Sequence, residues 1–563
     1  MFSRLSHAFT RGFERLRERY SAALAWSLEH RLWICVAFGG VLASAAVLVP
    51  FVGQDFFPSV DAGQLRLHVS APPGTRVEET EQVFGQVEAA IRRIIPPEEL
   101  MLILDNIGVP QPTNLARSDS VTVGSADGEI LLALNPEQHG PTRQYMQRLR
   151  QDLPIQFPGI TFFFQPADIV NQILNFGLPA PINVRVAGVN QDATYPIAQD
   201  LQARLARIRG LADVHLHQIV HAPALHVEVD RTRAAELGLT QRDVANNLLV
   251  TLSGNRFVSP NFWADPRTGI PYPLVVQTPQ YRITSLEAVR NTSMAVNGAA
   301  VPQLLSNLAT VERRAVPSVV THSNVRPVFD IYANVQDRDL GSAASEVERH
   351  VAAVRSQLPP GSKITVEGQV ESMHTAFVRL GIGLVFAILL VYGLMVVNFQ
   401  SWLDPCIIMT ALPGALCGIV WMLFVTHTTF SVPSLMGTIM SVGVATSNSI
   451  LLVTFANDQM RAGQESIQAG LAAGRTRLRP VLMTALAMII GMLPMSLGLG
   501  EGGEQNAPLG RAVIGGLTVA TISTLIFVPV VYSVLRRRPP SRHVEVEQAI
   551  ERHRFEADRA SVA

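Results

Sequence analysis

Lysine is almost missing: Lys363 is the only one in 563 residues, so arginine carries nearly all the positive charge. The formal net charge is zero, which argues against nucleic acid as a partner. Cysteine is equally scarce. Cys35, Cys406 and Cys417 all fall in apolar stretches, where a disulfide framework is excluded and no metal-ligand spacing exists. There is no nucleophile elbow, phosphate loop or paired-carboxylate site, so nothing marks an enzyme or calls for a cofactor. Outside the apolar runs methionine is thin, with Met101, Met146, Met294 and Met373 scattered, which disfavours export of soft metal ions through thioethers. His215, His217 and His221 have no recognised ligand spacing and read as surface or interface residues.

What is present is a layout. The uncharged run Trp33–Val52 is followed by a long, mostly polar stretch and then by runs free of Asp, Glu, Lys and Arg at Leu380–Leu403, Pro405–Asn457, Pro480–Gly500 and Ala512–Leu535. A bilayer crossing takes about 20 apolar residues. The longest run therefore holds two helices, broken at Thr426, His427, Thr428, Thr429 and Ser431, and six helices result in a 1+5 arrangement.

Arginine then predicts orientation, because short cytoplasmic loops retain it. Arg11, Arg15, Arg17, Arg19 and Arg31 precede the first helix, Arg461, Arg475, Arg477 and Arg479 separate the fourth from the fifth, and Arg536, Arg537 and Arg538 follow the sixth. All fall on one side, which places both termini in the cytoplasm and the large loop outside. Residues 1–30 read as a basic amphipathic helix on the inner membrane face.

Within the loop a strand, helix, strand pattern recurs. The units are Gln64–Ser70, Val77–Ile94, Leu100–Gly108; Ser120–Leu134, a helix near Thr142–Leu153, Thr161–Gln165; Ile182–Ala187, Tyr195–Arg209, Val214–Gln218; and Val328–Ala333, Ser342–Gln357, Ile364–Glu367. Asp192 reads as a cap before the third helix. Four units make two α/β subdomains, each a sheet with helices on one face. Between the third and fourth lies an insertion with a strand at Leu225–Val229, a helix from near Thr240, and a hairpin of Asn261–Trp263 and Pro273–Gln277. Asp55 and Asp61 bracket Pro58 and read as turn residues.

Several strings resemble the C-terminal half of resistance-nodulation-division (RND) efflux transporters, in the hydrophobe/amphiphile branch. They are Asp55 to Gly63, Ala71 to Thr75, Phe399 to Trp402, Gly443 to Asn448, Arg477 to Thr484 and Gly500 to Gly503. The resemblance implies an α-helical membrane domain with a large α/β periplasmic porter and docking domain between helices 1 and 2. It assigns 31–52 to the first transmembrane helix, 53–166 to one porter subdomain, 167–219 with 319–372 to a second, 220–318 to docking, 373–538 to helices 2–6, and 539–563 to a cytoplasmic tail. It implies a multi-pass protein of the bacterial inner membrane and a trimer. The implied partners are an N-terminal half or second RND chain, a periplasmic adaptor, an outer-membrane channel and the lipid bilayer.

Such pumps resemble proton antiporters whose C-terminal half contributes a lysine; the matching position here is Ser447. The resemblance makes Ser447, Asn448, Thr484 and Arg477 candidates to line a proton relay. The bland account of Thr446, Ser447, Asn448 and Ser449 is helix packing, and of Arg477 a cytoplasmic anchor. Phe162, Phe163 and Phe164 are candidates for a substrate cleft, although alternation along a strand would give at least one face to the core. The expected function is an efflux permease component for hydrophobic or amphiphilic compounds, coupled to protons through a missing half. The alternatives are a protein-export accessory of the SecDF type and a non-transporting fragment or assembly subunit.

Overall fold

The computed structural model describes residues 2–108, 121–256, 258–295, 302–500 and 502–537. The expected tail at 539–563 lies outside these, as does the start of the strand expected from Ser120. Two helices open the chain, α1 (Phe2–Glu29) and α2 (Arg31–Val52).

The first α/β unit runs β1 (Gln64–Ser70), α3 (Val77–Ile94), β2 (Leu100–Ile107), β3 (Asp127–Leu134), α4 (Thr142–Gln156) and β4 (Thr161–Gln165). Its strands lie in the order β2-β3-β1-β4, with antiparallel neighbours. Alternation sends Leu65, Leu67 and Val69 toward the helices, where they meet Phe84, Val87 and Ile91 of α3 and Leu149 and Leu153 of α4. The opposite face carries Arg66 and His68, also buried.

After the short α5 (Ile169–Leu174), a second unit repeats the plan with β5 (Ile182–Ala187), α6 (Gln191–Leu205) and β6 (Leu211–Leu216). An insertion follows, made of β7 (Ala222–Val229), α7 (Arg231–Glu236), α8 (Gln241–Ser253), the hairpin β8 (Asn261–Ala264) with β9 (Pro271–Leu274), α9 (Leu286–Arg290), β10 (Ser293–Met294), β11 (Gln303–Leu304), α10 (Leu305–Leu308) and β12 (Ala309–Val316). The unit then closes with β13 (Thr321–Ser323), β14 (Arg326–Val335), α11 (Leu340–Val354) and β15 (Lys363–Gly368). β14 and β5 form the centre, β15 flanks β5, and β6 and β13 share the far edge of β14. The β7–β12 ribbon leads to a separate small core around Val244, Met294, Leu305 and Leu308.

Five more long helical stretches complete the chain. They are α12 (Gln369–Phe399); α13 (Leu403–Met409) with α14 (Ala411–Val425); α15 (Val432–Arg461); α16 (Ser466–Ser496); and α17 (Gly503–Ile522), which passes through a π-turn (Ser523–Phe527) into α18 (Val528–Leu535). Among the described residues, six stretches are long and apolar enough to cross a membrane. α14 and α17 pack closest: a Cβ added at Gly418 would stand 2.2 Å from the carbonyl oxygen of Gly515, so the approach needs both glycines. α2 and α12 leave most of their apolar surface bare.

Asp55 and Asp61 do more than shape a turn, although Asp61 also accepts from the N–H of Gly63, two residues on, at 3.3 Å. The N–H of Leu340 donates to Asp55 Oδ1 at 2.8 Å and the N–H of Thr142 to Asp61 Oδ2 at 3.0 Å, so each carboxylate satisfies an orphan donor at the start of a distant helix. Asp55 thereby fixes the exit of α2 against α11, and Asp61 fixes the following segment against α4.

Candidate functional site

The helices hold a narrow polar seam. Asn448 is buried on α15, and the Thr484 hydroxyl of α16 reaches its Oδ1 at 3.2 Å while also lying 3.0 Å from the carbonyl of Val481 in its own helix. One residue on, fully buried Ser449 meets Thr524 of the π-turn, hydroxyl to hydroxyl, at 3.0 Å. Two of the four relay candidates therefore touch. Ser447 points to the open side of α15, and Arg477 lies seven residues before Thr484, about 10 Å along the helix axis. Its guanidinium stands 5.2 Å from the Phe455 ring centre.

A charged pair near this bundle escaped the sequence reading. Asp404 and Arg536 bond at 3.1 Å with side chains 1% and 11% exposed, tying α13 to the end of α18. The available signal was an acid lodged between two apolar runs with an arginine closing the last one. Nearby the Tyr532 hydroxyl donates to Asn457 Oδ1 at 2.9 Å.

Outside the helices, the two α/β units meet along β4 and β6. Phe163 is stacked between His68, at 4.3 Å, and His215, at 3.9 Å. Burial pushes the His215 imidazole down to about 4 and lowers His68 and His217 as well, so the stack is neutral. Beside it Arg150 grips Asp213 at 2.6 Å, and Asn334 bonds both Asp213 and the carbonyl of Phe164. Phe162 and Phe164 enter the core of the first unit, with Phe162 half-buried. Phe162 also borders a cleft of about 920 Å³ and Phe164 a cavity of about 560 Å³, whereas Phe163 borders neither.

That smaller cavity sits where both units meet the helix ends, and its wall includes Asp55, Asp61, Asp168 and Glu504. Neutral groups hold all four. Asp55 and Asp61 take the N–H groups above, Asp168 accepts from Asn171 N–H at 2.8 Å, and Glu504 accepts from Asp61 N–H at 3.0 Å. The lining arginines are committed elsewhere: Arg66 to Glu129, Arg143 to Asp337, Arg150 to Asp213 and Arg338 to Glu346. Among the described residues none of the four acids forms a direct ion pair, although the Arg143 guanidinium acts on Asp55 through space. Burial raises the Asp55 carboxyl above its ordinary value. Among the described residues no three His, Cys, Asp or Glu stand close enough to hold a metal ion.

Residues 2–536 match the model of the AcrB/AcrD/AcrF family. The chain is 28% identical over 531 residues to the "Cation efflux system protein CzcA" of Alcaligenes sp. (strain CT14), covering 93% of this chain and 49% of that protein. It is 28% identical over 542 residues to "Protein HelA" of Legionella pneumophila, covering 95% and 50%. An X-ray structure of a heavy metal efflux pump superposes with a TM-score of 0.79 at 24% identity over 94% of this chain and 52% of that one, a likeness of fold alone. The chain spans about half the length of the curated relatives it matches. Other relatives bear the names cobalt-zinc-cadmium resistance protein and nickel-cobalt-cadmium resistance protein, whereas the sequence led us to expect the hydrophobe/amphiphile branch. Counting methionines tests only for thioether ligands.

Proposed function

The chain belongs to the AcrB/AcrD/AcrF family of RND efflux permeases, and on that premise we propose that it is a transport component for divalent cations. It is a transporter, not an enzyme. The observation that carries the cation reading is the cavity of about 560 Å³ whose four carboxylates form no direct ion pair among the described residues. A hydrated cation passing from the loop toward the docking insertion would be drawn there by charge and exchange water for carboxylate oxygen. Because these acids do not converge into a chelating set, the wall passes cations along and leaves tight coordination to another surface.

That surface would belong to a complementary six-helix half, on the same or another chain, within a trimer that engages an adaptor and an outer-membrane channel. Support comes from the bare apolar faces of α2 and α12 and from the open side of α15, where Ser447 lies beside the Asn448–Thr484 contact. With hydroxyls and an amide but no charge in the seam, this chain would line a proton path whose titrating carboxylates stand in the other half. The six helices would cross an inner membrane with both termini cytoplasmic, the α/β units forming the porter and the insertion the docking layer.

The test is tolerance to zinc, cobalt, nickel and cadmium in a metal-sensitive bacterium producing the chain with its complementary half. Tolerance should rise, and Asp61→Asn with Glu504→Gln should abolish the gain at unchanged protein level. A gain confined to hydrophobic drugs and indifferent to both substitutions would restore the hydrophobe/amphiphile reading.

A further inference from the structure

We infer that α1 is a clasp on the last helix and that Tyr20 is a positioning residue for the polar seam. In sequence α1 reads as a helix resting on the membrane face, and in the fold one face of its second half packs on protein while Trp26 stays 53% exposed. Leu24 and Leu28 are 0% and 1% exposed and pack with Val530 of α18, and Phe13 and Tyr20 pack on Leu478, Val481 and Leu525. Gly474 of α16 makes room, since a Cβ there would stand 2.5 Å from both Leu24 Cδ2 and the Tyr20 oxygen.

The Tyr20 hydroxyl donates to the main-chain carbonyl of Leu525 at 2.7 Å. In an α-helix that carbonyl would take the N–H of residue 529. Residue 529 is Pro529, which has none, so the α-helical donor to this carbonyl is missing. A side chain 505 positions away supplies a donor in its place. Leu525 lies within the π-turn Ser523–Phe527, next to Thr524, whose hydroxyl meets Ser449 beside Asn448. Interruptions of this kind in a helix often mark functional positions. Tyr20 holds the π-turn in the register that keeps Thr524 on Ser449, and so links the N-terminal helix to the seam. The functional half of this inference rests on the reading of the seam as part of the transport path.

The test is a cycle of Tyr20→Phe, Pro529→Ala and the double variant, using the full chain in lipid nanodiscs and backbone amide exchange over residues 523–532. Tyr20→Phe should speed exchange about tenfold, one lost hydrogen bond's worth. With Pro529→Ala already present the same change should have less than about a twofold effect, because position 529 now supplies the N–H. Equal effects in both backgrounds, or none in either, would overturn the clasp.

A second readout is zinc export from everted vesicles that also hold the complementary half. Tyr20→Phe should slow it at unchanged half-saturating zinc, with recovery on adding Pro529→Ala; unaltered export would overturn the positioning role. Absence of zinc export even from the unsubstituted chain would defeat the transport reading, and the exchange cycle would then decide the clasp by itself.

Discussion

The α/β units and the helices solve the same problem, bringing distant segments into one arrangement, by opposite chemistry. Between the units the contact joins a neutral aromatic stack to an ion pair. Arg150 of α4 reaches Asp213 of β6, and within the second unit Arg185 reaches Asp330 at 2.7 Å and Glu367 at 2.6 Å. Between the helices the contact is made by removing side chains, Gly414 and Gly418 of α14 against Ser523 and Gly515, and by hydroxyls such as Ser449 and Thr524. The pairs between and within the units are themselves largely buried and hold because both charges are present, whereas in the apolar surround of the helices every single charge is expensive. Asp404 and Arg536 stand at the border between the two regimes.

The comparison is broken most directly at that border. Asp404→Ala would strand the Arg536 guanidinium in a site 11% exposed, and a loss of about 3–5 kcal/mol is expected in chemical unfolding of the micelle-bound chain. Changing both, Asp404→Leu with Arg536→Met, should return most of it, since an apolar pair of similar volume serves as well. A loss below about 1 kcal/mol for the single change would mean that water reaches the pair.

The charged seam gives the next effect. Arg150→Ala leaves Asp213 alone with its side chain 7% exposed, and about 3 kcal/mol is expected. Arg143→Ala removes an equally short pair at 61% and 60% exposure and should cost below about 1 kcal/mol. Equal losses in parallel melts would show that burial does not set the worth of these pairs. In the helices, Gly418→Ala should cost about 1–3 kcal/mol, because the new methyl meets a main-chain oxygen that cannot rotate away.

How far the sequence revealed this differs by region. β1 and α3 were legible to the residue, because a change from period two to period 3.6 marks both. α6 begins at Gln191, earlier than expected at Tyr195, since Asn190 and not Asp192 is the cap, accepting from Ala193 N–H at 3.2 Å. β3 begins at Asp127, well after Ser120, where Gly128 brings the strand against Phe84. In the helices Asn448 and Thr484 were singled out, with Ser447 and Arg477, only through the family resemblance, and their contact is visible only in the fold. Ser449 with Thr524 was not legible, because the π-turn that sets Thr524 has no local pattern. The caps made by Asp55 and Asp61 span 285 and 81 positions, and the sandwich of Phe163 between two histidines depends on how two sheets meet. Neither leaves a trace in periodicity.

The smallest expected effect separates two buried titrations of opposite sign in the α/β region. His215 has its pKa lowered from 6.5 to about 4, mainly by burial, so the unfolded chain binds the extra proton first. Its contribution is intact above 6.5 and is lost as pH falls toward 4. Asp105 of β2 is pushed up from 3.8 to about 7, first by burial and then by Glu88 beside it, so the folded chain binds the proton first. Its contribution is present below 3.8 and is lost as pH rises through 7. The two slopes oppose each other between pH 4 and 6.5. Relative to the unsubstituted chain, Asp105→Asn should therefore make the melting temperature fall more steeply on acidification, and His215→Gln should make it fall less. Tilts of the same sign would show that one of these groups is not held in the protonation state its surroundings dictate, and that water, not the neighbouring sheet, sets its charge.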